Sequence, residues 1–496
     1  MKHCFPIKTR PQVVQAVWSE VTTQDHVVDL TALSVLLGLV QHQLTSGLHP
    51  STEDPSLLVL DDQSDRLPQP IPWSRVQTEV SRFRALLPSQ SQDRKEAVSR
   101  MADSVWAVLA PKSLEEKAGQ FLSDNKLDSF GLTFAVLCGL RDVYPKTDFT
   151  LCLSEDHSWI SVDDSRVEVT FHAKTDKRGS CEPNPDNWLY LKGHVVHCNT
   201  VFMVVAALVS SLNPSLTPNS DSLPLADLQR QLLDLFYTNG HLNKYPMAIG
   251  NLADLCELTL NSTSSDLYYE AVSSALVHYD DHHIYPYLYL AGFWFRQGNY
   301  REALFAWKQG SRVLSKYNYN PKEDEEAYKE FQEIANDLIP YALNHLTLDC
   351  FHYRDLIEFY DGLCSWEEAS RWPVLHVGWS KSFLSCLHKF PPGVRSALRV
   401  QGEPSGGGTR RQRQEREIQE IVSQCSLDPE FLLKQKSSES RAEAELQVWS
   451  QKMREIKELL VHPKLNSSAI QLQITAQSSL FTMKEKRRDL EFWVKK

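Results

Sequence analysis

The residues that most invite a chemical reading are His157, in the run Leu153-Ser154-Glu155-Asp156-His157-Ser158-Trp159, and the stretch Asp128-Ser129-Phe130-Gly131 ahead of it. A helix start followed by a strand bearing histidine is the layout of thiol-dependent hydrolase and acyl-transferase sites. There a thiolate at a helix amino terminus is stabilised by the helix dipole and an imidazolium. No cysteine stands at this helix start, and the nearest by sequence, Cys138 and Cys152, fall inside a predicted helix and a predicted strand. Ser129 could replace the thiol, but a serine needs a placed base and an oxyanion hole that the sequence does not identify. The expectation is a histidine retained in an inactive site, with no catalytic residue. The alternative is a hydrolase or acyl-transferase that uses His157.

Other candidates carry weaker chemistry. His194 and His197, and His278 with His282 and His283, have metal-like spacing, but no acidic or thiol third ligand sits beside either set. The ten cysteines contain no C-x-x-C pair, so neither a metal nor a cofactor is expected. The run Tyr285-Pro286-Tyr287-Leu288-Tyr289 reads equally well as an aromatic binding wall or as repeat core. The acidic run from Glu323 to Glu326 reads as a solvated helix start. Beyond it Glu330 and Glu333, three apart, share a face that could meet Arg or Lys of a bound segment. The implied guest is a basic, aromatic peptide.

Composition sets the frame for these residues. With 496 residues, 42% hydrophobic and 23% charged, the chain is long enough for several packed units and is globular in composition. The 52 basic against 63 acidic residues give a net charge of −11, which disfavours a general nucleic-acid binder. A weak DNA contact through Arg410, Arg411, Arg413 and Arg416, or through Lys484, Lys486, Arg487 and Arg488, stays open. No apolar run follows the basic amino-terminal residues, and the apolar stretches 30–40 and 195–209 are too short or too interrupted for a membrane span. A reducing compartment with free thiols is expected.

The apolar spacing predicts helix over residues 11–47, then strand pieces and loops to about 75, with a short apolar run at 57–60. Helices at 98–106 and 129–140 with strands at 149–153, 159–162 and 166–171 make an α+β unit. After Val195 strand signals nearly vanish and helix follows helix, the pattern of a solenoid. The sharpest repeat is at 287–310, where Tyr287, Leu290, Ala291, Trp294, Ala303 and Trp307 occupy the offsets of a tetratricopeptide helix pair around Gly298-Asn299. Flanking stretches 225–258 and 325–346 share its texture.

Several long motifs resemble those of the menin family, a family of tumour-suppressor scaffolds. They are the run at 153–159, Tyr245-Pro246-Met247-Ala248-Ile249-Gly250-Asn251-Leu252-Ala253-Asp254-Leu255, His283-Ile284-Tyr285-Pro286-Tyr287, Tyr328-Lys329-Glu330-Phe331 within 324–337, Val374-Leu375-His376-Val377-Gly378-Trp379, and Asn466-Ser467-Ser468-Ala469-Ile470-Gln471-Leu472. The resemblance spans nearly the whole chain and implies a mainly α fold. Its parts would be a helical region with a long β-hairpin at 1–81, an inactive transglutaminase-like α+β domain at 82–194, a tetratricopeptide-like palm at 195–350 and a helical portion with flexible basic segments at 351–496. It also implies a nuclear, non-enzymatic adaptor in transcription and chromatin regulation. Such an adaptor binds a Phe-Pro-Arg-type motif of mixed-lineage leukaemia histone methyltransferases and of JunD in one cavity, and joins LEDGF together with the methyltransferase. Carried over by motif, the peptide would meet Ser154, Asp156, His157, Phe202, Val205, Tyr245, Met247, Asn251, Tyr285, Leu288, Tyr289, Trp307, Glu330 and Glu333. Phe130 stands where the family has a small polar residue, Val205 and Phe295 where it has Cys, and Leu288 where it has Met. The region 380–450 resembles the family least.

Overall fold

The computed structural model describes residues 1–23, 27–46, 65–109, 129–155, 157–163, 165–169, 195–214, 222–260, 264–316, 325–368, 378–401, 445–466, 468–470 and 473. The apolar run at 57–60, Asp156, His194, Asp324 and both basic runs lie outside them. The chain is mainly helical. It divides into two units, Met1–Tyr190 with Val195–Leu267, and Leu191–His194 with Tyr268–Lys496.

In the first unit, β1 (Ile7–Thr9) runs antiparallel to β2 (Arg66–Ile71), with Ile7 opposite Ile71. Thr9 then opens α1 (Arg10–Thr22) in a capping box with Gln12, and Pro11 sits in the first turn, where no N–H is needed. Val13, Val17 and Val21, four apart, turn inward. The helical stretch expected at 11–47 is two helices, because Asp29 caps a second, α2 (Leu30–Thr45), by accepting from the Ala32 N–H at 2.9 Å. α2 is enclosed on nearly every side, so its sequence is apolar all round rather than striped.

After α3 (Trp73–Arg84) and α4 (Arg94–Leu109), α5 (Ser129–Val143) packs on a four-stranded antiparallel sheet. Its strands are β3 (Thr150–Leu153), β4 (Ser158–Val162), β5 (Ser165–Val167) and β6 (Val196–Cys198), in the order β5-β4-β3-β6. β6 is where the metal-like His194/His197 spacing was read. It pairs Cys152 with His197, whose side chain is exposed, so the alternation of the run Val195-Val196-His197-Cys198 reflects an edge strand.

Three helices follow, α6 (Val201–Ser210), α7 (Leu223–Thr238) and α8 (Pro246–Leu260). The Gln229 amide, on α7, donates to the carbonyls of Val209, Ser210 and Leu212 at 3.0, 3.2 and 2.9 Å. It supplies donors that the end of α6 lacks. Gln229→Leu is expected to cost about 1–3 kcal/mol of stability, seen as a lower urea midpoint. An unchanged midpoint would mean that these carbonyls need no such donor.

α9 (Ser265–Tyr279) leads into the second unit, where α10 (Tyr285–Arg296) and α11 (Tyr300–Leu314) form an antiparallel pair. Gly298, at φ +72°, makes their turn, and the Asn299 side chain caps α11. Then come α12 (Glu325–Glu333), a π-helical turn (Ile334–Leu338), α13 (Ile339–Asn344) and the long α14 (Cys350–Glu368), which packs along α11. α15 (Gly378–Leu387), α16 (Pro392–Ser396), the parallel strands β7 (Arg399–Gln401) and β8 (Glu445–Gln447), and α17 (Gln451–Leu460) complete the unit. The end of α14 grips the start of α17. Asp361 accepts from the Trp449 and Ser450 N–H groups at 2.9 and 2.8 Å, and Glu368 from those of Gln451 and Lys452 at 2.8 and 3.0 Å. Carboxylates at a helix amino terminus meet both its orphan donors and its dipole. No helix among the described residues is long and apolar enough to cross a membrane.

Candidate functional site

His157 stands at the start of β4, directly after a tight turn closed by the Ser154 N–H donating to the His157 carbonyl at 2.8 Å. Asp156 lies outside the described residues. The His157 ring is buried, lies 6.0 Å from the Trp159 ring at 25°, and joins its Nε2 to Glu168 Oε2 at 2.8 Å. The other Glu168 oxygen accepts from the Val169 N–H at 2.9 Å. Beside them, the Ser158 hydroxyl donates to Thr133 Oγ1 at 3.1 Å, and that hydroxyl in turn contacts the Ser129 carbonyl, tying α5 to β4.

Glu168 was not singled out from the sequence. The alternation Val167-Glu168-Val169 puts it on the face opposite its valine neighbours, which from sequence reads as solvated, yet it is buried, and a buried carboxylate demands a partner. Histidine with an orienting carboxylate is two thirds of a nucleophile-activating set. Of the described thiols near this sheet, Cys138 and Cys152 do not have the character that the rest requires. Burial pushes Cys138 well above its ordinary value and Cys152 up to about 12, the opposite of what a nucleophilic thiolate needs. Glu168→Ala removes the acceptors holding both His157 Nε2 and the Val169 N–H, and is expected to lower stability by about 1–3 kcal/mol. A thermal melt within error of the parent would show that the His157–Glu168 pair is not structural.

The remaining first-unit candidates come from α6 to α8. Phe202, half-buried near the start of α6, stacks on His241 with ring centroids 3.8 Å apart. Val205 is fully enclosed on the same helix. Tyr245 precedes α8 and is buried, while Met247 and Asn251, one turn apart on α8, are half-exposed. Asn251 Nδ2 lies 3.4 Å from the Ser210 carbonyl, which links α8 to the end of α6.

In the second unit α10 offers Tyr285 and Tyr289, one turn apart, with ring centroids 6.3 Å from each other and both half-exposed. The residues between them point inward. Tyr287 donates its hydroxyl to Asp281 at 2.8 Å, and Leu288 and Tyr287 lie over Gly310 of α11, where an added Cβ would meet them at 3.6 and 3.5 Å. The aromatic run therefore serves two ends, alternate members forming core and surface. Trp307 is only 2% exposed and lies against Phe295, centroids 5.6 Å apart. On α12, Phe331 and Ala327 face inward, while Glu330 and Glu333 are exposed.

Two of the described histidines read as metal-like have other partners. His283 is buried against Tyr279 at 4.6 Å between centroids, and His282 Nδ1 lies 2.9 Å from the Asp280 carbonyl. Among the described residues no three His, Cys, Asp or Glu side chains gather as a metal site would require.

Comparison with known proteins adds a second line of argument to this geometry. The menin family model matches residues 2–426 and 403–491. A crystal structure of menin, one that reveals the binding site for the Mixed Lineage Leukemia (MLL) protein, is similar with a TM-score of 0.72 and 33% identity. The match covers 95% of this chain and 99% of that one.

Proposed function

The chain belongs to the menin family, and from that premise we propose that it is a non-enzymatic scaffold that captures short Phe-Pro-Arg-type peptide segments. The observation that carries this reading is the likeness, over 95% of the chain, to a menin whose structure reveals an MLL-binding site. The chemistry of the candidate residues suits such a guest. The half-exposed Tyr285 and Tyr289 rings offer aromatic faces to Phe and Pro, and Glu330 and Glu333 offer carboxylates to Arg. The pairing of α10 with α11 fits a tetratricopeptide-like palm, and the sheet bearing His157 fits a transglutaminase-like domain that has lost its nucleophile. A nuclear adaptor to a methyltransferase of the MLL type, with JunD and LEDGF as further partners and transcription as the outcome, is the fuller form of the proposal.

Calorimetric titration of a Phe-Pro-Arg-containing peptide tests it. Tyr285→Ala should weaken binding at least about tenfold, as expected of a truncated aromatic anchor. Failure of the wild-type protein to bind, or an unaffected variant, refutes the peptide reading. The His157–Glu168 pair favours a second reading, a residual hydrolase or acyl-transferase. An acylating activity probe that labels no residue disposes of that one.

A further inference from the structure

We propose that His241 is a positioning residue for peptide binding, holding the Phe202 ring in the orientation in which it meets the guest. The inference rests on the peptide reading above and adds to it a residue that does not itself need to touch the peptide.

Phe202 is the second residue of α6, whose start is fixed by Thr200 accepting from the Met203 N–H at 3.2 Å. Its ring lies flat against the His241 imidazole, with centroids 3.8 Å apart and planes 7° apart. Stacked rings usually slide or tilt, so a close parallel pair indicates that the backbone imposes the arrangement. The structure shows how. α7 ends with Gly240 at φ +75°, the Gly240 N–H donates to the Tyr237 carbonyl at 2.8 Å, and the His241 N–H donates to the Phe236 carbonyl at 2.9 Å. These two bonds are a Schellman motif. It fixes the His241 backbone without using its side chain and leaves the imidazole to Phe202.

Trp18 of α1 closes another side, with its ring 6.2 Å from Phe202, 6.4 Å from His241 and 5.9 Å from Phe236. Burial pushes His241 below the ordinary histidine value, so the ring is neutral near pH 7 and stacks as an aromatic. Phe202 and His241 both remain partly exposed, which separates this pair from the enclosed aromatics of the core. The segment that fixes His241 then runs directly into Tyr245 and the start of α8, which bears Met247 and Asn251. One backbone turn thus sets the Phe202 ring and feeds the helix with the neighbouring candidates.

The test titrates a Phe-Pro-Arg-containing peptide into the wild-type protein, His241→Ala and His241→Phe by calorimetry. Near-UV circular dichroism difference spectra, variant minus wild type, report on the aromatic cluster of Trp18, Phe202 and His241 in the free proteins. The alanine variant should bind about three- to tenfold more weakly and change the near-UV signal. Phenylalanine restores a flat ring and should recover both affinity and signal, which a general packing defect at this position would not allow. Wild-type affinity in His241→Ala, or a phenylalanine variant as weak as alanine, overturns the positioning role while peptide binding itself stands. A wild-type protein that binds no peptide overturns the peptide reading and the positioning role with it.

Discussion

Alanine at Lys308 is expected to lower the stability of the protein by about 1.5–3 kcal/mol, the cost of removing a buried cation hydrogen-bonded to half-buried carboxylates. Lys308 is 2% exposed on α11, with its Nζ 2.8 Å from Asp355 Oδ1 and 3.4 Å from Glu358 Oε2, both on α14. The ammonium also lies 4.2 Å from the centre of the Phe305 ring. Desolvation by itself pushes Glu358 up, but Lys308, Arg354 and Arg312 together outweigh it and hold the carboxyl down at about 2. A carboxyl whose folded value is depressed contributes stability that is complete above its ordinary value of 4.5 and is lost as pH falls through about 2. The wild-type protein should therefore lose stability between those limits, and Lys308→Ala, which removes the largest attractive charge on Glu358, should lose less over the same window. Urea unfolding at pH 7 and pH 3 measures both effects. A variant as stable as wild type at pH 7 would show that the pair is replaced by solvent.

Lys308 also marks where the sequence stops being informative. The helix pair around it was legible, because Tyr287, Leu290, Ala291, Ala303 and Trp307 recur at helical spacing and all five are buried. A lysine next to Trp307 in that pattern reads as a solvated position, and its carboxylate partners lie some fifty residues away on another helix. Glu168 is a similar case: its alternation with valines reads as a solvated face, and its partner His157 is reached only across the β4–β5 turn. His241 was hidden because its role depends on a glycine at positive φ, which the sequence Gly240-His241 permits without requiring. The π-helical turn at Ile334–Leu338 has no period that sequence spacing could reveal, since the same residues read as continuous α-helix. Local periodicity thus carried many of the helices and, of the described strands, β3, β4 and β5. Pairings across elements, which decide how the candidate side chains are held, did not announce themselves.

The second large effect follows from a close approach between α11 and α14 at Gly362. A Cβ built at Gly362 would lie 2.6 Å from the Ser311 carbonyl oxygen, 2.7 Å from its hydroxyl and 2.8 Å from its carbonyl carbon. Two of those three atoms are backbone, so no side-chain rotation relieves the contact and the helices themselves must part. Against this stands the helix preference for alanine over glycine, about 1 kcal/mol in favour of the substitution. Overpacking of a well-filled interior costs about 1–3 kcal/mol and more when backbone must move, so the clash wins. Gly362→Ala should be destabilised, and Gly362→Val, with two further methyl groups, more strongly. Separation of α14 from α11 would also lengthen the Lys308 contacts to Asp355 and Glu358, because those carboxylates sit on α14 one and two turns before Gly362. The two substitutions should consequently be less than additive. A double variant, Lys308→Ala with Gly362→Ala, whose loss in urea equals the sum of the singles would show that the close crossing and the Lys308 ion pairs are independent. A Gly362→Ala protein more stable than wild type would remove the crossing from the argument altogether.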